Sequence, residues 1–263
     1  MRVTVRTLQR RKQEGVPITC LTAYDASFAR VLDGADIDVL LVGDSLGMVI
    51  QGHETTLPVT LEHMLYHVSA VARVAQRVLV MADIPFLGDR DIGTALDQAG
   101  ALMRAGAHMV KLECNGGQEP VVERLVRSGI PVCAHLGLTP QTVHRIGGYR
   151  IQGRGADAAA RLLAEASALE AAGAQALLLE GVPEPLADQV TAAAEVPVIG
   201  IGASPRCDGQ VLVLQDIIGL TPKSPRFAMN FLVGNDSIVT AVESYARAVR
   251  ARAFPVSGTH TFE

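Results

Sequence analysis

Short apolar runs alternate with longer amphipathic segments along this chain. The runs are "PITCLTAY" from Pro17, "DVLLVGDS" from Asp38, "RVLVMADIPF" from Arg77, "HMVKLE" from His108, "PVCAHLG" from Pro131, "ALLLEG" from Ala176, "VPVIGIGA" from Val196 and "VLVLQDIIG" from Val211. Most of the intervening segments repeat apolar residues three and four apart, as in "TLEHMLYHVSAVARVAQ" from Thr60 and "ADAAARLLAEASALEAAGA" from Ala156, which predicts helices. Strands alternating with helices in this number fit a single (β/α)8 barrel. Three stretches, "DGADIDVLLVGD", "RAGAHMVKLE" and "AAGAQALLLEG", repeat one unit of helix end, glycine, apolar strand and acid. Glycine closes a helix in the left-handed conformation at low cost, and a strand covered on both faces reads as an unbroken apolar run. A doubly wound open sheet is the alternative, but no GxGxxG follows the first strand.

Composition adds limits rather than a function. At 263 residues and 49% hydrophobic content the chain can bury a large core, so one domain over residues 1–263 is expected, with a C-terminal helix at about 235–252. A net charge of -4 and no basic run interleaved with aromatics argue against a nucleic-acid partner. The basic N-terminal stretch lacks the apolar segment of a secretory signal, and no apolar run is long enough to span a membrane. A cytoplasmic location is the resulting expectation. Cys20, Cys114, Cys133 and Cys207 are scattered without a CxxC pair, as expected of small core residues. The last residues, "PVSGTHTFE", read as a mobile end.

The strand ends carry the candidate chemistry. Parallel strands of a barrel bring their C-terminal ends to one mouth. In chain order that mouth receives Asp44 and Ser45, Asp83, Lys111 and Glu113, His135, and Glu180. Singly, each has an ordinary reading as a cap or a satisfied structural group. Together, four carboxylates in one cavity repel one another and need compensating cations. Lys111 is one such cation, and a hard divalent ion such as Mg2+ is a natural second, since oxygen donors without a His/Cys cluster suit it. Gly43 and Gly47 flank Asp44 and Ser45 and are expected to let backbone approach a bound substrate. His53, His63, His67, His108 and His144 fall on loops or helices and read as structural or solvated.

The segments "LTAYDASFA", "VGDSLGMVIQGHETTLPVTLEHMLYH", "ADIPF", "MVKLE", "PVCAHLGLTPQTVHRIGGYRIQGRG", "LLLEGVP" and "IGIGASPRCDGQVLV" follow one another in an order that resembles the ketopantoate hydroxymethyltransferase family. The resemblance implies a (β/α)8 barrel of the phosphoenolpyruvate/pyruvate type. It implies transfer of a hydroxymethyl group from 5,10-methylenetetrahydrofolate to 3-methyl-2-oxobutanoate, through a magnesium-stabilised enolate, to give 2-dehydropantoate on the route to pantothenate and coenzyme A. By the same resemblance Asp44 and Asp83 hold one Mg2+ per subunit, with Glu113 a third, water-mediated ligand. Asp44, Ser45, Asp83, Lys111 and His135 contact substrate, and Glu180 removes the C3 proton. Tyr149, Arg150 and Arg154 are candidates for the folate's anionic tail, and the family's usual assembly is a decamer.

The chain departs from the family pattern at Leu87–Arg90, at Cys114 and Asn115, at Pro205, and at "LQDIIG", where a histidine commonly precedes the aspartate. These departures bear on loop geometry, folate affinity and the choice of 2-oxo acid, and none falls on the expected ligands or base. Two other readings compete. A magnesium-dependent lyase or mutase on a related barrel would use similar acids but usually carries a "KKCGH"-like loop, which is missing here. A non-catalytic 2-oxo acid binder would have no use for Glu180.

Overall fold

Eight parallel strands close into a barrel in the computed structural model, which describes residues 2–263. They are β1 (Ile18–Thr22), β2 (Val39–Val42), β3 (Leu79–Asp83), β4 (Met109–Glu113), β5 (Val132–Gly137), β6 (Ala176–Glu180), β7 (Val198–Ile201) and β8 (Gly209–Leu212), and β8 pairs back onto β1. All eight are buried along almost their whole length. That is why they read as continuous apolar runs rather than alternating ones. The predicted helices appear at Leu61–Ala72, N-capped by Thr60, and at Ala156–Ala171.

Three features depart from the sequence expectation. β8 begins at Gly209, and the apolar run from Val211 leaves the sheet early to form a short helix, Leu214–Ile217. Leu214 N–H bonds the Thr22 hydroxyl at 3.0 Å, which turns the chain out of the sheet at the mouth. Only residues 202–208 join β7 to β8, with no helix between them. The last residues are not a free end. After the helix Ile238–Arg250 the chain passes Pro205 and Cys207, whose carbonyls accept from Arg252, and its closing segment is fastened at the mouth. There Glu184 N–H bonds Phe262 O at 2.8 Å, while the Ser257 and Thr261 hydroxyls donate to the Glu184 carboxylate at 2.8 and 2.7 Å. A segment with few apolar residues is thus ordered by hydrogen bonds to Glu184.

The floor of the barrel is sealed from the other side. Thr4 caps the N-terminal helix Val5–Glu14 in a reciprocal box with Thr7, and the helix places Arg11 and Lys12 beneath the strands. Asp38, fully buried, is ion-paired with Arg11 at 2.7 Å and Arg250 at 2.9 Å and accepts Thr19 N–H at 3.0 Å. Tyr245 reaches the Cys20 and Gln210 carbonyls at 2.8 and 2.9 Å, tying the C-terminal helix across the β1–β8 seam. All four cysteines are free and buried, as expected. No helix among the described residues is long and apolar enough to cross a membrane.

Removing a buried partner leaves its counter-charges uncompensated, which costs more than the pair itself contributes. Asp38→Ala is therefore expected to lower unfolding free energy by about 3 kcal/mol. Urea denaturation of the variant against the parent protein measures this, and a change below about 1 kcal/mol would mean that water already screens the two guanidiniums.

Candidate active site

The C-terminal ends of the strands open onto a cavity of about 390 Å³. Asp44, Ser45, Asp83, Lys111, Glu113, His135 and Glu180 all line it, so every residue expected at the mouth is present there. Asp83, Glu113 and Glu180 are the last residues of β3, β4 and β6, while Asp44 and Ser45 follow β2 in a tight turn. Gly43 and Gly47 are closely packed by protein atoms. A Cβ on Gly47 would stand 2.7 Å from Val59 Cγ2, and one on Gly43 would stand 3.2 Å from both Asp83 Oδ2 and Ser45 Oγ. These glycines let protein segments pack against one another.

Lys111 is the organising charge. Its ammonium lies 3.1 Å from Asp83 Oδ1 and 3.2 Å from His135 Nδ1. Burial works against its charge, yet Asp83, Glu113 and Asp44 together hold its pKa above the usual lysine value. An ammonium has only donors, so Nδ1 of His135 accepts and Nε2 carries the ring proton. Nε2 is buried without a hydrogen-bond partner and lies 3.4 Å from Glu180 Oε2. Burial, with the Lys111 charge next to it, pushes the imidazole well below its ordinary pKa, so His135 is neutral.

Asp44, Glu113 and Glu180 are driven the other way. Burial and the neighbouring Asp83 push Asp44 up to about 7, with Lys111 opposing. Burial followed by Asp44 raises Glu113 as well. Glu180 is pushed up to about 7 by burial, with Lys111 again opposing. Asp83 Oδ2 also accepts Asp44 N–H at 2.9 Å, which joins the ends of β2 and β3.

Two residues absent from the sequence reading support this set. Gln141 donates its side-chain amide to Asp44 Oδ2 and Ile84 O, both at 2.9 Å, and its N–H to Glu113 Oε2 at 3.0 Å. Tyr24 shares a 2.7 Å hydrogen bond with Ser45 Oγ. Both lie inside the motif segments "HLGLTPQ" and "LTAYDASFA", but their spacing gives no sign of a polar role. Of the folate-tail candidates, Tyr149 lines the cavity, whereas Arg154 donates to the Glu263 carbonyl at 3.2 Å. The other histidines serve locally: His63 completes the Thr60 cap, His67 contacts the Tyr24 carbonyl at 2.6 Å, and His108 accepts Val80 N–H at 3.0 Å.

Among the described residues no three His, Cys, Asp or Glu side chains already form a closed metal cluster. A hard cation needs less, since magnesium is commonly held by one or two carboxylates plus waters and substrate oxygens. Asp44 and Asp83, crowded together and lining an open cavity, fit that requirement, and Glu113 Oε1 is buried with no hydrogen-bond partner. The donor set is all oxygen, which matches the chemistry of that ion.

Comparison with known proteins agrees with the architecture. The sequence matches the family described as ketopantoate hydroxymethyltransferase over residues 2–257. It is 54% identical to the 3-methyl-2-oxobutanoate hydroxymethyltransferase of Marinobacter nauticus, covering 100% of both chains. It is 57% identical to that of Chromohalobacter salexigens, over 96% of this chain and 97% of the relative. Among solved structures it is similar to phosphoenolpyruvate phosphomutase from Streptomyces platensis subsp. rosaceus, with TM-score 0.62, 17% identity, and 82% and 83% of the two chains covered. It is also similar to phosphonopyruvate hydrolase in complex with oxalate and Mg++, with TM-score 0.61, 12% identity and 81% of each chain covered. The structural likenesses establish the barrel, and the sequence relatives separate this chain from the lyases and mutases.

The raised Glu180 pKa has a consequence for stability. Between the ordinary glutamate value and about 7 the folded protein keeps a proton on Glu180 that the unfolded chain has released. Stability therefore falls as pH rises through that interval and levels off above it. In protein stripped of divalent ions, urea unfolding from pH 4.5 to 8 is expected to show a shallower fall for Glu180→Gln than for the parent. Parallel profiles would show that Glu180 titrates normally.

Proposed function

The chain belongs to the ketopantoate hydroxymethyltransferase family and is a hydroxymethyltransferase, and we propose that Glu180 starts its reaction by removing the C3 proton of 3-methyl-2-oxobutanoate. The enolate carbon then bonds to the one-carbon unit of 5,10-methylenetetrahydrofolate, both carbon–nitrogen bonds to that unit break, and water supplies the new hydroxyl; tetrahydrofolate leaves with the C3 proton and one proton from water on its two nitrogens, giving 2-dehydropantoate for pantothenate and coenzyme A synthesis. The single observation that carries this reading is the pairing of a cavity-lining carboxylate, raised to about 7, with a neutral histidine 3.4 Å away and a buried ammonium behind that.

A base works best when its pKa lies near the working pH, so that it is both largely ionised and strong enough to take a proton. Burial gives Glu180 that property. Nε2–H of His135 stands 3.4 Å from its Oε2 and would steady the carboxylate once the two come into line, and Lys111 holds the ring in the tautomer that allows this. Lys111 also offsets the carboxylate of the 2-oxo acid, and Ser45, held by Tyr24, donates to a substrate oxygen. Asp44 and Asp83, with Glu113 through water, would hold Mg2+, which when bound supplies Lewis-acid stabilisation of charge on the keto oxygen. Gln141 keeps Asp44 and Glu113 in place across the mouth. The same reading includes a cytoplasmic homodecamer, supported by the family's usual assembly.

Exchange of the C3 proton in D2O, followed by NMR, tests the first step without folate. Glu180→Gln is expected to slow exchange by about 10²–10⁴-fold, and EDTA to suppress it in the parent protein. Exchange at the parent rate in Glu180→Gln would remove Glu180 from the reaction. Lys111→Met is expected to raise the KM for 3-methyl-2-oxobutanoate by at least about 10-fold, the size of a lost charge-assisted hydrogen bond. A raised folate KM with an unchanged oxo-acid KM would place Lys111 at the other substrate.

A further inference from the structure

The cavity has two unlike walls. The residues from β2 through β6 contribute the charged groups of the proposed reaction, whereas the wall formed by β7, β8 and the segment after β8 is largely apolar, with Ile201, Val211, Val213, Pro225 and Phe227. One carboxylate interrupts it. Asp216, in the short helix Leu214–Ile217, lines the cavity and is only 4% exposed.

Asp216 lies in the first turn of that four-residue helix with the Thr221 hydroxyl beside it, which is little support for a buried carboxylate. It caps no helix, because the preceding cap position is Val213 and no side chain bonds there. It takes part in no ion pair within 4.0 Å among the described residues, and Lys223 on the same wall is exposed and does not reach it. Burial raises its pKa, with only the Thr221 hydroxyl opposing. A buried carboxylate without a cation is costly unless donors arrive from elsewhere. Asp216 faces an open cavity, so a ligand can bring them.

The two substrates differ in what they offer. The 2-oxo acid brings only acceptor oxygens and a small branched chain, which suit the ammonium and metal side of the cavity. The folate brings a flat pterin whose pyrimidinone edge presents two adjacent donors, the ring N–H and the 2-amino group. Two parallel N–H donors match the two oxygens of one carboxylate, and the ring faces match an apolar wall containing Phe227.

We propose that Asp216 binds the folate by accepting hydrogen bonds from the ring N–H and 2-amino group of its pterin, with the ring faces against the apolar wall of β7 and β8. This assignment rests on the hydroxymethyltransferase reading and supplies its missing folate contact. The departure at Gln215, which precedes Asp216, leaves the carboxylate itself in place.

Titration calorimetry with tetrahydrofolate, together with the folate-free C3 exchange assay, tests it. Asp216→Asn is expected to weaken tetrahydrofolate binding at least about 10-fold, with the oxo-acid KM changing by less than about 2-fold. A tetrahydrofolate analogue lacking the 2-amino group is expected to bind the parent at least about 10-fold more weakly than tetrahydrofolate, and Asp216→Asn is expected not to tell the two apart. Equal affinity of parent and variant for tetrahydrofolate overturns the assignment. If the variant does not fold, the parent protein decides alone, since failure to discriminate against the analogue overturns the assignment equally. Parent protein that exchanges C3 but binds no tetrahydrofolate overturns the transferase reading and Asp216 with it, whereas exchange with folate binding that ignores Asp216 overturns only the latter.

Discussion

One buried ammonium links the parts of this site. Lys111 projects from the middle of β4 toward Asp44, Asp83, Glu113 and Glu180 on one side of the cavity, and without a positive charge there their mutual repulsion would favour protonation. Through Asp83 it reaches the backbone of Asp44 and so joins the ends of β2 and β3. Through His135 it sets which ring nitrogen carries the proton, the one 3.4 Å from Glu180 at the end of β6. Five consecutive strands are thus connected through one nitrogen. The opposing effects of burial and neighbouring charge leave the ammonium charged, the imidazole neutral and two carboxyls near neutrality.

The closed barrel makes this crowding possible. Parallel pairing from β1 around to β8 satisfies the backbone inside a wall of mostly apolar side chains, and the charged groups of the strands gather toward their C-terminal ends. A polar face from β2 to β6 and an apolar face from β7 to β8 then stand across one cavity. An acceptor-rich small acid and a flat aromatic cofactor place opposite demands on a surface, and the two faces divide those demands between them.

Much of this was legible in the sequence, for a physical reason. Strands buried on both faces are continuous apolar runs, so an acid at the end of such a run stands out, as at Asp83, Glu113 and Glu180. What escaped depends on contacts distant in the chain. Gln141 matters because it spans from Asp44 to Glu113, and its neighbours in sequence say nothing of that. The run from Val211 is as apolar as a strand, but a hydrogen bond to Thr22 turns it into a helix. The closing segment has the composition of a loose end, and its partners, Glu184, Arg154 and Arg226, all lie far from it in the chain. Asp216 was hidden for a related reason: one acid in an apolar run is unremarkable until the wall around it is known.

The pairing of β8 with β1 also bears on how the protein is made. As the chain leaves the ribosome, β1 waits with an open edge until nearly two hundred further residues have appeared, since its second neighbour begins at Gly209. Contacts of such long sequence separation form slowly and leave strand edges exposed meanwhile. The clamp on Glu184 comes later still, because Ser257, Thr261 and Phe262 follow the last helix. A partly synthesised chain can therefore hold every acid of the mouth in its sequence and still lack both the closed wall and the segment that secures the loop after Glu180.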